Sequence, residues 1–215
     1  MGHTERRSRV PGAGWPGPAP EVPAVTVEVF AADEQHDQPV DTLRLVRLAE
    51  AVLADEGVRG DAELSVLFVD EAAIAELNEK FLGKQGPTDV LAFPIDEEPT
   101  DSGRSPDSGG SGPGFTGELD EIPALLGDVV VCPAVARRNA AEHAGSYDDE
   151  MALLVVHGVL HLLGMDHLDE DEAEEMESRE RVLLARHHGV MSNPRFRPRP
   201  GDDPKDRGWR SPGRT

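Results

Sequence analysis

Cysteine is almost absent from this chain: Cys132 stands alone among 215 residues. A single thiol forms neither an internal disulfide nor a cysteine-rich zinc site, so nothing points to an oxidising compartment, and Cys132 reads as a small buried residue. Long apolar runs are missing too. None approaches the roughly 20 residues of a membrane span, and the opening "MGHTERRSRVPGAGWPGPAP" has arginines but no apolar stretch behind them. A soluble, cytoplasmic protein is expected, with no membrane partner. Basic charge is in short supply, with 21 Lys and Arg against 42 Asp and Glu, for a net charge of −21. Residues 1–20 carry +2 and residues 192–215 carry +4, which leaves −27 for the body. A body of that sign counts against broad binding to nucleic acid, and DNA is not an expected partner. A small basic cleft within it stays compatible with the count.

What is present divides into ordered and soft segments. With 38% hydrophobic residues the chain is long enough to bury a real core. Residues 1–24 and 191–215 are rich in Gly, Pro and charge, and read as a disordered N-terminal extension and a disordered basic C-terminal tail. Between residues 99 and 117, thirteen of nineteen are Gly, Pro or Ser, which marks a flexible insert, bounded at 97–121, inside one domain of residues 25–190.

Within that domain, "AVTVEVF" (24–30), "ELSVLFVD" (63–70), "TDVLAFP" (88–94) and "GDVVVC" (127–132) read as strands. Helices are predicted over 41–57, 70–83, 133–145, 146–164 and 169–186. Their punctuation is Asp41, Asp70 and Ser146 as N-caps, Pro133 at a first turn, and stops at Gly57, Gly83, Gly145 and Gly164. The fold expected is α+β, a small mixed sheet packed on several helices. The helix from 146 is apolar on nearly all sides and therefore buried.

That helix contains the anomaly. "HGVLHLLGMDH", residues 157–167, places three of the eight histidines in an otherwise aliphatic stretch. His157 and His161, four apart, project from one helical face about 6 Å apart in axial rise, and Gly164 ends the helix so that His167 can fold back toward them. Three imidazoles fill three corners of a zinc tetrahedron and leave the fourth for water, which is the donor set of a hydrolytic site. A single histidine on an apolar face is ordinarily a satisfied core residue. Three at this spacing would need partners for six buried ring nitrogens. The spacing alone also fits zinc peptidases of the H-E-x-x-H-x-x-G-x-x-H type, but those require a glutamate where this chain has Gly158.

Three segments in this order, "LNEKFLGKQGPTDVLAFP" (77–94), "GDVVVCPAVARRNA" (127–140) and "VHGVLHLLGMDH" (156–167), resemble the YbeY endoribonucleases, whose pattern is H-G-x-L-H-L-x-G-x-D-H. The resemblance covers about residues 24–190. It implies a metal-dependent hydrolase of single-stranded RNA acting in 16S rRNA 3′-end maturation and ribosome quality control. It also implies one Zn2+ held by His157, His161 and His167, an rRNA precursor as substrate, and ribosomal proteins as partners. The family commonly carries an arginine where this chain has Leu82, so that role does not carry over. Lys80, Lys84, Arg137 and Arg138 are the cations offered as RNA contacts, though each reads more readily as a solvated charge. Asp166 reads either as a carboxylate orienting a ligand imidazole or as a cap for the next helix. Thr88, Asp89 and Asn78 read as capping residues. Two other classes remain beside the nuclease: a zinc peptidase, and a non-enzymatic ribosome-assembly factor with a structural metal whose shell is closed by His143, His187 or an acid.

Overall fold

The computed structural model describes residues 27–58, 61–95, 124–167 and 169–202. The N-terminal extension 1–24, the insert 97–121 and residues 203–215 lie outside the described residues. The elements are β1 (Val27–Asp33), α1 (Thr42–Asp55), β2 (Ala62–Phe68), α2 (Glu71–Leu77), β3 (Val90–Pro94), β4 (Ala124–Val131), α3 (Pro133–Asn139), α4 (Tyr147–Leu162) and α5 (Glu170–His187). A wider π-type turn, Asn78–Leu82, continues α2, and a 3-10 turn, Pro194–Phe196, follows α5.

The described strands form one mixed sheet of order β1-β2-β4-β3. The first three are parallel, and β3 is antiparallel to β4. Alternation in β2 buries Ala62, Leu64, Val66 and Phe68, and the last three join the main core with residues of α1, α4 and α5. The opposite face is covered by a smaller cluster that includes Ile74 of α2, Leu91, Val130, Cys132 and Val135. Because both faces are covered at β4, Val129, Val130 and Val131 are consecutive and all buried. The N-caps act as their residue types require. Asp41, Asp70, Ser146 and Asp169 each accept a backbone N–H three residues on, typically worth ~1 kcal/mol.

Two departures from the sequence expectation have physical causes. The helix expected over 133–145 ends at Asn139 and gives way to turns that close at Gly145, φ +98°. A Cβ there would lie 2.8 Å from the Ser192 Cβ and 2.9 Å from the Asn193 nitrogen, so glycine is required by a crossing chain as well as by the turn. That crossing chain is the second departure. Ser192–Asp202, assigned by composition to a disordered tail, is laid back on the domain. Its Phe196 is buried in the main core, and its Asp202 meets buried Arg181 through a bidentate pair at 2.8 and 3.0 Å. Gly, Pro and Arg content reports low hydrophobicity on average; it is blind to one anchoring ring and one buried ion pair.

Candidate metal centre

α4 is the hub of the fold, packed on α1, α3, α5, β3 and β4. From Met151 to Leu160 every residue except His157 is buried. The helix approaches β4 so closely that a Cβ on Gly158 would lie 2.5 Å from Cγ1 of Val129. Gly158 is therefore a packing requirement: a side chain there would have to displace the buried Val129. The glutamate a zinc peptidase needs beside its first histidine is missing, and the packing leaves no ready space for one.

At the C-terminal end the chain reverses through a Schellman turn. The Met165 N–H donates to the Leu160 carbonyl (3.0 Å), the Gly164 N–H donates to His161 (2.9 Å), and Gly164 takes φ +84°. The reversal returns His167 to the two helical histidines. One ligand-capable atom from each of His157, His161 and His167 lies within 4.8 Å of the others, and ring centroids are 4.5 to 5.6 Å apart. No fourth His, Cys, Asp or Glu among the described residues joins this group. The Nε2 atoms of His157 and His161 are 3.1 Å apart. Two nitrogens bound to one tetrahedral zinc stand about 3.3 to 3.4 Å apart, given bonds of about 2.0 to 2.1 Å, so the rings already converge as such an ion requires. Burial, together with the adjacent His157 and His167, pushes His161 down to about 4. Its ring is neutral at physiological pH, the state a ligand needs.

The carboxylate that orients this set is one the sequence reading missed. Glu180 of α5, itself buried, accepts from Nδ1 of His157 at 2.8 Å. That leaves Nε2 of His157 free to ligate. Asp166, read from sequence either as an imidazole-orienting carboxylate or as a cap for the next helix, accepts the backbone N–H of His167 (2.7 Å), and Asp169 caps α5. The other histidines considered for the shell are engaged elsewhere. His143 Nδ1 meets buried Glu150 at 2.9 Å and His187 Nε2 meets Asp55 at 2.8 Å.

The three rings open onto a cleft of about 780 Å³ whose walls include Asn78, Phe81, Leu82, Lys84 and Phe93. Asn78 is buried and donates to the Gly86 carbonyl (2.9 Å), pinning the loop that carries Lys84. Thr88 and Asp89 are local capping groups, since Asp89 Oδ1 accepts from the Val90 N–H and the Thr88 hydroxyl. Of the four cations offered as RNA contacts, Lys84 lines the cleft. Lys80 lies over the Phe81 ring, Nζ 5.0 Å from its centroid. Arg137 stacks on Tyr147 at 3.7 Å and bonds Gln38, and Arg138 pairs with Glu71. The structure does not bring these two arginines to the cleft.

A family model described as endoribonuclease YbeY matches residues 30–188. The chain belongs to the YbeY family. The YbeY endoribonuclease of Salinispora tropica is 47% identical over 146 residues, covering 68% of this chain and 87% of the relative. That of Thermobifida fusca is 46% identical over 147 residues, with 68% and 86% covered. A solution structure of TM1509 from Thermotoga maritima shows 26% identity and a TM-score of 0.44, covering 82% of this chain and 99% of that one. The YbeY match takes in β4, α3, α4 and all of α5, and so includes the three histidines and Glu180.

Proposed function

We propose that this protein is a metal-dependent endoribonuclease that cuts single-stranded RNA and acts in 16S rRNA 3′-end maturation and ribosome quality control in the cytoplasm. The observation that carries the reading is the convergence of three imidazoles, and only three protein donors among the described residues, at the floor of an open cleft. A structural zinc site is closed by four protein ligands, whereas a catalytic one keeps a position open. The donor set fits a single Zn2+, with His157, His161 and His167 as its holders. When bound, the ion supplies positive charge for a nonbridging phosphoryl oxygen and activates the attacking water or 2′-hydroxyl. The protein's own contribution is orientation. Glu180 holds His157 in one tautomer, the Gly164 turn delivers His167, and burial keeps His161 unprotonated. Lys84 offers a cation on the wall for the strand's phosphates.

Few cations face the cleft, and the body carries −27, so little of the affinity comes from counterion release. Ribosomal proteins are the partners that would make up for it. Incubation of the purified protein with a short single-stranded RNA and an rRNA precursor, with and without chelator, tests the reading. Chelator-sensitive internal cutting is expected, and an undiminished rate in metal-free protein sinks it.

A further inference from the structure

Beside the histidines lies a second, smaller cavity of about 310 Å³, enclosed by α4, α5 and the docked C-terminal segment. Its floor is apolar, formed by Leu153, Leu154, Met176 and Phe196. His157 and His167 line both this cavity and the larger cleft, as do Asp89 and Val90, so the two spaces meet at the metal centre. Phe196 is held in place from several sides. Its ring packs edge-on to His143 at 5.3 Å, the Asn193 N–H donates to the Ala144 carbonyl (2.9 Å), and Arg195 meets Glu177 at 2.5 Å.

We propose that this cavity is the subsite for one nucleobase of the RNA strand, adjacent to the phosphate held at the three histidines; the inference rests on the endoribonuclease reading above. Size admits a nucleobase, because the volume sits at the lower end of the ~300 to 1,000 Å³ of small-ligand pockets. Charge favours a base over a phosphate. The polar lining holds the carboxylates of Asp89, Glu177 and Glu180 and the imidazoles of His143, His157 and His167; His143 faces Glu150, His157 faces Glu180 and Arg195 is paired with Glu177, so a second phosphate would meet more carboxylate than available cation. A neutral base has a π-face for the apolar floor and edge N–H groups suited to the Asp89 and Glu177 carboxylates, Glu180 being buried against His157. Position selects an RNA base over a free small molecule, since a strand with a phosphate at the trio carries a base within one nucleotide's reach of the opening.

The test uses the full chain and a short single-stranded RNA whose cut site has been mapped. In wild type, an abasic replacement at the position flanking the cut lowers kcat/KM about tenfold, the scale of losing one base contact. In Ala173→Phe, which fills the cavity from its half-buried α5 side, the intact and abasic RNAs are cut at the same reduced rate. With zinc-loaded protein, 2-aminopurine placed at that position changes fluorescence on binding to wild type, read by stopped flow before cutting, and does not with the variant. Equal rates on both RNAs in wild type, or no position-specific fluorescence change, overturn the pocket while leaving the nuclease standing. Failure of wild type to bind or cut either RNA overturns both. Should Ala173→Phe not fold, the wild-type abasic comparison and the fluorescence signal decide alone.

Discussion

α4 and α5 are neighbours of similar length with opposite compositions, and they contribute to the site in opposite ways. α4 is apolar all round and carries its functional groups at helical spacing, so the groups that act together are close in sequence. α5 opens with a run of acids and has the look of a solvated helix, yet it buries three consecutive charged residues, Arg179, Glu180 and Arg181. Each is matched by a different element. Arg179 pairs with Glu56 after α1, Glu180 with His157 of α4, and Arg181 with Asp202 beyond the 3-10 turn. α4 carries two of the three histidines and leads into the turn that returns the third; α5 ties His157, α1 and the C-terminal segment into one body.

The contrast can be broken from either side. The largest effect is expected on α4: His161→Ala should abolish metal retention and RNA cutting together, read by metal content after dialysis and by the chelator assay, while the chain stays folded. Next is Arg181→Met on α5. It takes the guanidinium from Asp202, which keeps the Ser178 hydroxyl and the Arg199 N–H as hydrogen-bond donors, at a site where both side chains are almost fully buried, and loss of one partner of such a pair costs about 3 to 5 kcal/mol. Urea denaturation should show that drop, and Arg181→Met combined with Asp202→Leu should recover most of it. Glu180→Gln keeps size and removes the charge that orients His157. Zinc affinity should fall about 10- to 100-fold with little change in stability, measured by competition with a chromophoric chelator.

The smallest effect is electrostatic. Burial alone would raise the Asp149 carboxyl, but hydrogen bonds from Ser192 and His188 outweigh it and hold the group at about 2. An unfolded Asp titrates near ~3.9. The resulting stabilisation is complete above about pH 4 and is lost as pH falls through about 2. Asp149→Asn should flatten the decline of the urea midpoint between pH 5 and pH 2.

Helix ends and strand faces were legible because they are local. Asp41, Asp70 and Ser146 cap where their residue types say they should, and β2 alternates as its apolar residues do. The three histidines were legible for the same reason, a four-residue spacing followed by a glycine reversal. Glu180 was not, because it is one of many acids in its helix and becomes special only through a partner 23 residues away. Arg137 and Arg138 could not be sorted from useful cations until Tyr147 and Glu71 were seen to occupy them.

By itself, then, the sequence pointed to the histidine cluster and to the family. Periodicity, a glycine stop and donor chemistry act over a few residues, and the chain order carries them without help. Tertiary structure alone decided which carboxylate orients His157, why Gly158 tolerates no side chain against Val129, and that Phe196 closes a second cavity beside the metal centre. Those outcomes depend on surfaces meeting across long stretches of chain, where the energy lies in complementarity and burial and not in the identity of any one residue.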